Sequence, residues 1–382
     1  MSRYTVIHLV DDYLPRSQTF IYQYLSKMRA VRPVVITQNP SNQDLFPLDN
    51  IAAISQQGWM RKLRERLIMR LAADFLPLTN QYAAICCQYK GNILHAHFGH
   101  VGYRALTLKQ KTSLPLVTTF YGFDMSLLPR RKVWKHAYQI LFAKGDRFLV
   151  EGPHMAEKLI QLGCPEDKVT IRPIAIDISK IPFIPRNGDR QSPIRILMVG
   201  RFVEKKGFIY AIQAFACIAS KWPNVEVRII GDGPQKGKII AEIEKQGLLN
   251  RVHLLGPKNY ESYLEEAKNA HIFLSPSVTA SDGDSEGGAP TTLLEMQGSG
   301  MPVLSTYHAD IPYVVKQGAT GFLVPERDVS ALAVQLDWLL SQPGKWESIG
   351  KAGRKSMLKS HNIENEITKL EELYLQILST GR

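Results

Sequence analysis

The sequence predicts two α/β domains, each built on a doubly wound parallel sheet, and three observations lead there. Short apolar runs alternate with amphipathic stretches of roughly ten to fifteen residues, the rhythm of parallel strands joined by helical crossovers. The rhythm occurs twice, on either side of IDISKIPFIPRNGDRQSP (176–193), a segment rich in proline and polar residues that lacks helical period and reads as a linker. The length of 382 residues fits two or three domains at about 150 residues each.

In the first half, TVIHLV (5–10), PVVIT (33–37), ILHAHF (93–98), LPLVTTF (114–120) and DRFLVE (146–151) read as buried strands. In the second, IRILMVG (194–200), VEVRIIG (225–231), VHLLG (252–256), HIFLSPS (271–277) and MPVLST (301–306) do the same. The domains meet near residue 185, and a ligand is expected in a cleft between them, at the carboxyl ends of the strands.

Apolar residues make up 45% and charged residues 21%, which excludes disordered, collagen-like and coiled-coil chains. No run approaches the roughly 18 uninterrupted apolar residues of a membrane span. The opening MSRYTVIHLVDDYLP sets two aspartates behind a short apolar run without a small-residue cleavage site, so no signal peptide is expected. Cys86, Cys87, Cys164 and Cys217 show no zinc-finger spacing and fit a reducing cytoplasm. A net charge of +12 favours anionic partners such as nucleic acid, an anionic membrane face or phosphorylated substrates.

Two motifs in the second half carry chemistry. In MVGRFVEKKGF (198–208) a strand ends at Gly200, a helix begins near Gly207, and Arg201 and Lys206 project from the connecting loop. Backbone amides and fixed cations converge in such a loop and suit a pyrophosphate; plain surface cations are the alternative. In SDGDSEGGAPTTLLEMQGSGMPV (281–303), Gly287 and Gly288 allow close backbone approach. Pro290 suits the first helical position, so the amides of Thr291 and Thr292 open a helix. Glu295 falls in its second turn, where a carboxylate accepts two hydrogen bonds from a sugar diol. A dipole partner at Glu286 and a solvated helix residue at Glu295 are the alternatives.

Together these motifs resemble the family 4 glycosyltransferases, retaining enzymes of the GT-B fold, closely over about 194–340 and loosely in the first half, with an exopolysaccharide or colanic-acid type of branch. The resemblance implies two Rossmann-like domains facing each other across a cleft. It implies an acceptor domain over 1–180, completed by a C-terminal helix at about 360–382, and a donor domain over 190–345, with the helices of 345–378 crossing back to the first domain. Gly200-Arg201 and Lys206-Gly207 correspond to the family's diphosphate loop. Glu286 corresponds to the glutamate at the transferred sugar and Glu295 to the one at the ribose, although eight residues intervene here instead of seven, an insertion in GGAP around Ala289. IIGDGP (229–234), with Gly231 and Gly233, resembles the turn beside the donor, and Gly256-Pro257 the segment where the base packs. STYHADIPYVV (305–315) resembles the stretch that closes the donor pocket.

The implied reaction moves a hexose from a nucleotide diphosphate sugar, in UDP or GDP form, to a saccharide or lipid-linked acceptor in envelope or exopolysaccharide synthesis. Arg201, Lys206 and the amides near Thr291 neutralise the leaving diphosphate, so no metal and no other cofactor is expected. Asp282-Gly-Asp284 matches the metal–diphosphate signature of the other large glycosyltransferase fold, a three-letter pattern that arises easily by chance.

On the acceptor side, LPRSQTFIYQYL (14–25) resembles the family's Ser-x-Thr-Phe stretch, with Ser17 or Thr19 as a helix cap. His97 in HAHFGH (95–100) matches a recurrent family histidine. TTFYGFDMS (118–126) matches a Phe-His-Gly-x-Asp stretch in which Tyr121 replaces the histidine and Asp124 is retained, as a ligand contact or as the cap of the following turn. WMRKLRERLIMRLAADFL (59–76) reads as an amphipathic helix with Met60, Leu63, Leu67, Leu71 and Phe75 on one stripe, and Arg61, Lys62, Arg64, Arg66 and Arg70 elsewhere. With RRKVWKH (130–136) it suits an anionic membrane face, giving a cytoplasmic protein held peripherally; a stripe packed on the core is the alternative. Two rival functions remain. A polyanion- or nucleotide-binding protein without transferase activity would use that basic helix, but no nucleic-acid motif appears. A nicotinamide-dependent oxidoreductase would need G-x-G-x-x-G after the first strand, where LVDDYLP stands.

Overall fold

The computed structural model describes residues 4–15, 19–54, 58–74, 77–187 and 193–380. It forms two compact units, Met1–Ile174 with Ile363–Arg382, and Ala175–Asn362. In the first unit the strands are β1 (Tyr4–Asp12), β2 (Val31–Asn39), β3 (Ile51–Ala53), β4 (Gly91–His97), β5 (Leu116–Thr119), β6 (Arg147–Val150) and β7 (Val169–Ile171). In the second they are β8 (Ile194–Val199), β9 (Val225–Ile230), β10 (Val252–Leu254), β11 (Ile272–Ser275), β12 (Val303–Thr306) and β13 (Gly321–Val324). The sheet orders are 3-2-1-4-5-6-7 and 10-9-8-11-12-13, with parallel pairing throughout. Each order reverses once, between β1 and β4 and between β8 and β11. All ten strands read from the sequence are present; the three not anticipated, β3, β7 and β13, are short edge strands.

Strands covered on both faces read as continuous apolar runs, and β1 shows the division of labour. Ile7 and Leu9 join Leu94, Ala96, Trp134 and Tyr138 on one side. Val6 joins Ile93, Val117, Leu149, Leu370, Leu373 and Tyr374 on the other. The last three belong to the helix Ile363–Thr380, whose Glu371 Oε1 accepts the amides of Arg29, Ala30 and Val31 at 2.7, 2.6 and 3.2 Å. A carboxylate that takes three amides at the mouth of β2 fixes the helix in register as well as in place.

The division between units falls elsewhere than the sequence suggests. Residues 176–187 are packed rather than free: Ile184 N donates to Ser299 O at 3.0 Å, and the buried Arg186 donates to the carbonyls of Lys268 and Ala270 at 2.7 and 2.5 Å. The helix Pro343–Ser360 also stays with the second unit instead of crossing back. Trp346 is fully buried in that core, a Cβ on Gly350 would lie 2.1 Å from Gly300 O, and Arg354 donates to Ile181 O and Gly298 O at 2.8 and 2.7 Å. Only Ile363–Thr380 returns to the first unit.

The helix Gly58–Leu71 is turned outward. It buries Arg64 and Ile68, while Trp59, Leu63 and Leu71 are 66%, 49% and 44% exposed. The stripe expected from the sequence therefore faces away from the core. Arg64 is drawn inward because Asp74 and Gln38 accept from its guanidinium, the latter at 2.6 Å. Phe75, assigned to the same stripe, lies outside the described residues.

Candidate active site

The second unit places the two sequence motifs at its switch point, on the loops that follow β8 and β11. The Gly200–Gly207 loop is shaped by contacts only glycine permits. Gly207 has φ +67°, and a Cβ there would lie 1.9 Å from Pro276 O, on the neighbouring loop. Gly231 has φ +150°, and its Cβ would meet Gly200 O at 1.9 Å. The turn after β9 is thus pressed onto the turn after β8. Gly233 rests on the Phe202 backbone, and Gly231 N donates to Gly256 O at 3.1 Å, which brings Gly256 and the exposed Pro257 to the same edge.

Across this platform Lys206 Nζ bridges both carboxylate oxygens of Glu286, at 2.9 and 3.0 Å. Ser277 Oγ donates to the same carboxylate at 2.8 Å, and Glu286 N is 3.1 Å from His308 Nε2. Burial pushes the Glu286 carboxyl up, but Lys206, Lys205 and Ser277 outweigh it and hold the group below its usual range. It is an anion fixed in place beside a cation. The neighbouring Lys205 points the other way. Buried, it donates to Asp284 at 3.0 Å and to Ser285 O at 2.8 Å. It thereby clips the 281–286 loop to the Gly200–Gly207 loop. Asp282 accepts from Asp284 N at 2.9 Å, so both carboxylates of the Asp-Gly-Asp pattern serve the loop's own fold.

After Glu286 the backbone runs through Gly287, with φ +81°, Gly288 and Ala289 into the helix Thr291–Gly298. Pro290 sits at the N-cap, one position earlier than expected. Among the described residues the amides of Gly287, Gly288, Ala289, Thr291 and Thr292 have no protein acceptor. A helix start with a row of such donors attracts an anion. Arg201 is exposed, and its guanidinium likewise has no hydrogen-bonding partner among the described residues.

Glu295, in the same helix, is buried at 8% exposure; a solvated position does not fit. Burial pushes its carboxyl up to about 7, against the pull of Tyr263 and Tyr260. Tyr263 Oη donates to Glu295 Oε2 at 2.7 Å, leaving Oε1 as the oxygen not bonded to Tyr263. Lys205, Ser277 and Tyr263 were not singled out in the sequence. Their roles depend on loops meeting in space, and no local spacing announces them.

In the first unit, His97 ends β4 and its Nδ1 lies 2.8 Å from Tyr121 Oη. Both are buried, and burial with Glu151 and Asp124 nearby keeps the phenol well above its ordinary range, so it is neutral. Phe98, between His97 and the helix Gly99–Thr112, has φ +78°, a strained conformation for a bulky residue. Asp124 is fully buried and accepts the amides of Gly99 and Tyr121 at 2.8 and 3.1 Å, so it braces this strained turn. Burial raises its carboxyl to about 6. Thr19 opens the helix Thr19–Leu25 and is exposed; Ser17 lies outside the described residues.

The profile of the Glycosyltransferase Family 4 family matches residues 18–180, and that of Glycosyl transferases group 1 matches residues 180–356. WcaL of Escherichia coli K12, assigned as a colanic acid biosynthesis glycosyltransferase, is 35% identical over 264 residues, 66% of this chain and 64% of WcaL. AmsK of Erwinia amylovora, an amylovoran biosynthesis glycosyltransferase, is 35% identical over 250 residues, 65% of this chain and 61% of AmsK. The chain spans a little under two thirds of the length of these relatives. Among solved structures, HepE of Anabaena in complex with UDP and glucose matches with a TM-score of 0.79 at 15% identity, over 98% of this chain and 100% of that one. A glycosyltransferase from Rickettsia africae matches at 0.77 and 17% identity, over 99% of each. These matches give the fold, the GT-B type with two Rossmann-like units. With adjoining profiles across residues 18–356, the chain belongs to the family 4 glycosyltransferases.

Proposed function

We propose that this protein transfers a hexose from a nucleotide diphosphate sugar to a saccharide or lipid-linked saccharide, in exopolysaccharide or envelope synthesis. One observation carries the reading: Lys206, fixed by Glu286, stands at a switch point beside five backbone amides without protein partners among the described residues. The anomeric carbon–oxygen bond to the β-phosphate breaks and the acceptor oxygen bonds the same carbon. The acceptor proton passes to the leaving phosphate oxygen on the same face, which retains configuration. Arg201, Lys206 and the Gly287–Thr292 amides stabilise the departing diphosphate. Glu286 orients the sugar hydroxyls, Glu295 the ribose diol, and Gly256-Pro257 borders the base. Because Lys205 occupies Asp284, the reading assigns no metal to the diphosphate. The names of WcaL and AmsK support the polysaccharide assignment, and the UDP complex of HepE supports the donor class. Tyr121, held by His97, and Thr19 serve the acceptor.

The lipid-linked alternative for the acceptor draws on the outward helix. Trp59, Leu63 and Leu71 stand exposed beside the exposed Lys62, Arg66 and Arg70. Arg131 and Trp134 tie the 130–136 stretch to it through Met69 O, at 2.7 and 2.8 Å. Apolar and cationic groups on one face suit an anionic membrane, which fits a protein held peripherally on the cytoplasmic leaflet. Among the described residues no helix is long and apolar enough to cross a membrane.

The test is a calorimetric screen of nucleotide sugars, followed by transfer assays with and without EDTA. UDP- or GDP-linked hexoses should bind, Lys206→Ala and Glu295→Ala should weaken the best of them, and activity should survive EDTA. Binding unchanged in both variants overturns the site. Binding without turnover over a panel of saccharide and lipid-linked acceptors favours the non-catalytic rival.

A further inference from the structure

At the switch point of the first sheet three imidazoles meet. His8 stands on β1, and His95 and His97 stand two apart on β4, with His8 in register with His95. Alternation along the strands sends all three to the side covered by Ile363–Thr380. All are buried, and one nitrogen of each ring lies within 4.8 Å of the other two. His8 Nδ1 and His97 Nε2 face each other at 3.1 Å. Two nitrogens on one tetrahedral zinc ion, each roughly 2.0–2.1 Å from it, stand about 3.3 Å apart.

We propose that His8, His95 and His97 form a zinc site whose three imidazole ligands come from two neighbouring strands and fasten the β1–β4 seam. Two of the three rings have the second partner that such a ligand uses. Metal-bound imidazoles are oriented by a polar partner on the other ring nitrogen. Tyr121 Oη fills that place 2.8 Å from His97 Nδ1, and Tyr374 Oη 2.5 Å from His95 Nδ1. His97 Nε2, His8 Nδ1 and His95 Nε2 are then left for the ion, the last by giving up its 2.6 Å contact with Thr119 Oγ1. His8 Nε2 is buried without a hydrogen-bond partner among the described residues. The three rings border a cavity of about 50 Å³, shared with Thr119, Tyr121 and Glu151, which has room for the water that completes a three-histidine site. A set of imidazoles without carboxylate ligands selects zinc over magnesium or calcium. The site lies in the first unit, so it stands or falls apart from the diphosphate chemistry of the second.

The test uses the full chain without an affinity tag. About one zinc per chain should remain after dialysis against metal-free buffer. Cobalt should give the ligand-field bands of a four-coordinate ion, and zinc should raise Tm above that of chelator-treated protein. His8→Gln should abolish the cobalt bands and weaken zinc binding at least about 100-fold, whereas Tyr121→Phe should weaken it about 10- to 100-fold and keep the stoichiometry. A parent protein that takes up no zinc overturns the proposal, as do His8→Gln and His97→Gln variants that bind as tightly as the parent. If the histidine variants fail to fold, the parent decides alone: cobalt bands with a chelator-induced loss of Tm support the site, and their joint absence overturns it.

Discussion

The two sheets have the same kind of switch point and furnish it with opposite chemistry. Between β8 and β11 stand Lys206, the guanidinium of Arg201 and a row of unengaged amides, on loops that glycines allow to touch. Between β1 and β4 stand imidazoles and phenols, kept neutral by burial and bonded mostly to one another. One place is ready for an anion and the other is lined by neutral donors and acceptors. Topology fixes where a parallel sheet can host a ligand, while the residues that end the flanking strands decide which kind.

The sharpest way to break this contrast is to remove the cation. Lys206→Ala should lower kcat/KM for sugar transfer about 100- to 1000-fold, and Tyr121→Phe should leave nucleotide affinity within about twofold; equal losses of affinity in a titration would erase the distinction. Next is the glycine platform. Gly207→Ala meets Pro276 O at a left-handed φ and should cost about 1–3 kcal/mol, read as a fall in Tm of about 2–4 °C per kcal/mol.

Glu295 sharpens the comparison through pH. Its folded-state pKa is raised from 4.5 to about 7, so ionising it opposes folding. Glu295→Gln should therefore gain Tm relative to the parent as pH rises from about 4.5 to about 7. If Glu295 holds the ribose diol as proposed, donor affinity of the parent should decline as pH drops through about 7, and that of the glutamine variant should stay flat. The smallest effect is expected at the outward helix. Leu63→Ser should reduce sedimentation with anionic vesicles several-fold, through loss of roughly 1–2 kcal/mol of apolar contact, with transfer to a soluble acceptor unchanged.

Much of the fold is written locally. Apolar runs long enough to cross a buried sheet marked ten strands, and Gly200, Arg201, Lys206, Glu286 and Glu295 stood out because glycines and charges cluster at strand ends. What stayed hidden depends on distant partners. Nothing in Lys205-Lys206 tells which lysine turns inward to Asp284 and which reaches Glu286. The stripe at 60–71 has helical period, but Asp74 and Gln38 pull Arg64 inward and turn the apolar face outward. The segment 176–187 has a linker's composition, yet it lies against Ser299 and Lys268 because Arg186 finds carbonyls there.

The helix Ile363–Thr380 gives the first unit a discontinuous path through the chain. During synthesis Val6, Ile93, Val117 and Leu149 leave the ribosome long before Leu370, Leu373 and Tyr374 exist to cover them. The second unit, contiguous from Ala175 to Asn362, is complete first. A nascent chain of this protein therefore carries one finished half and one sheet face that stays bare until Ile363–Thr380 has emerged to cover it.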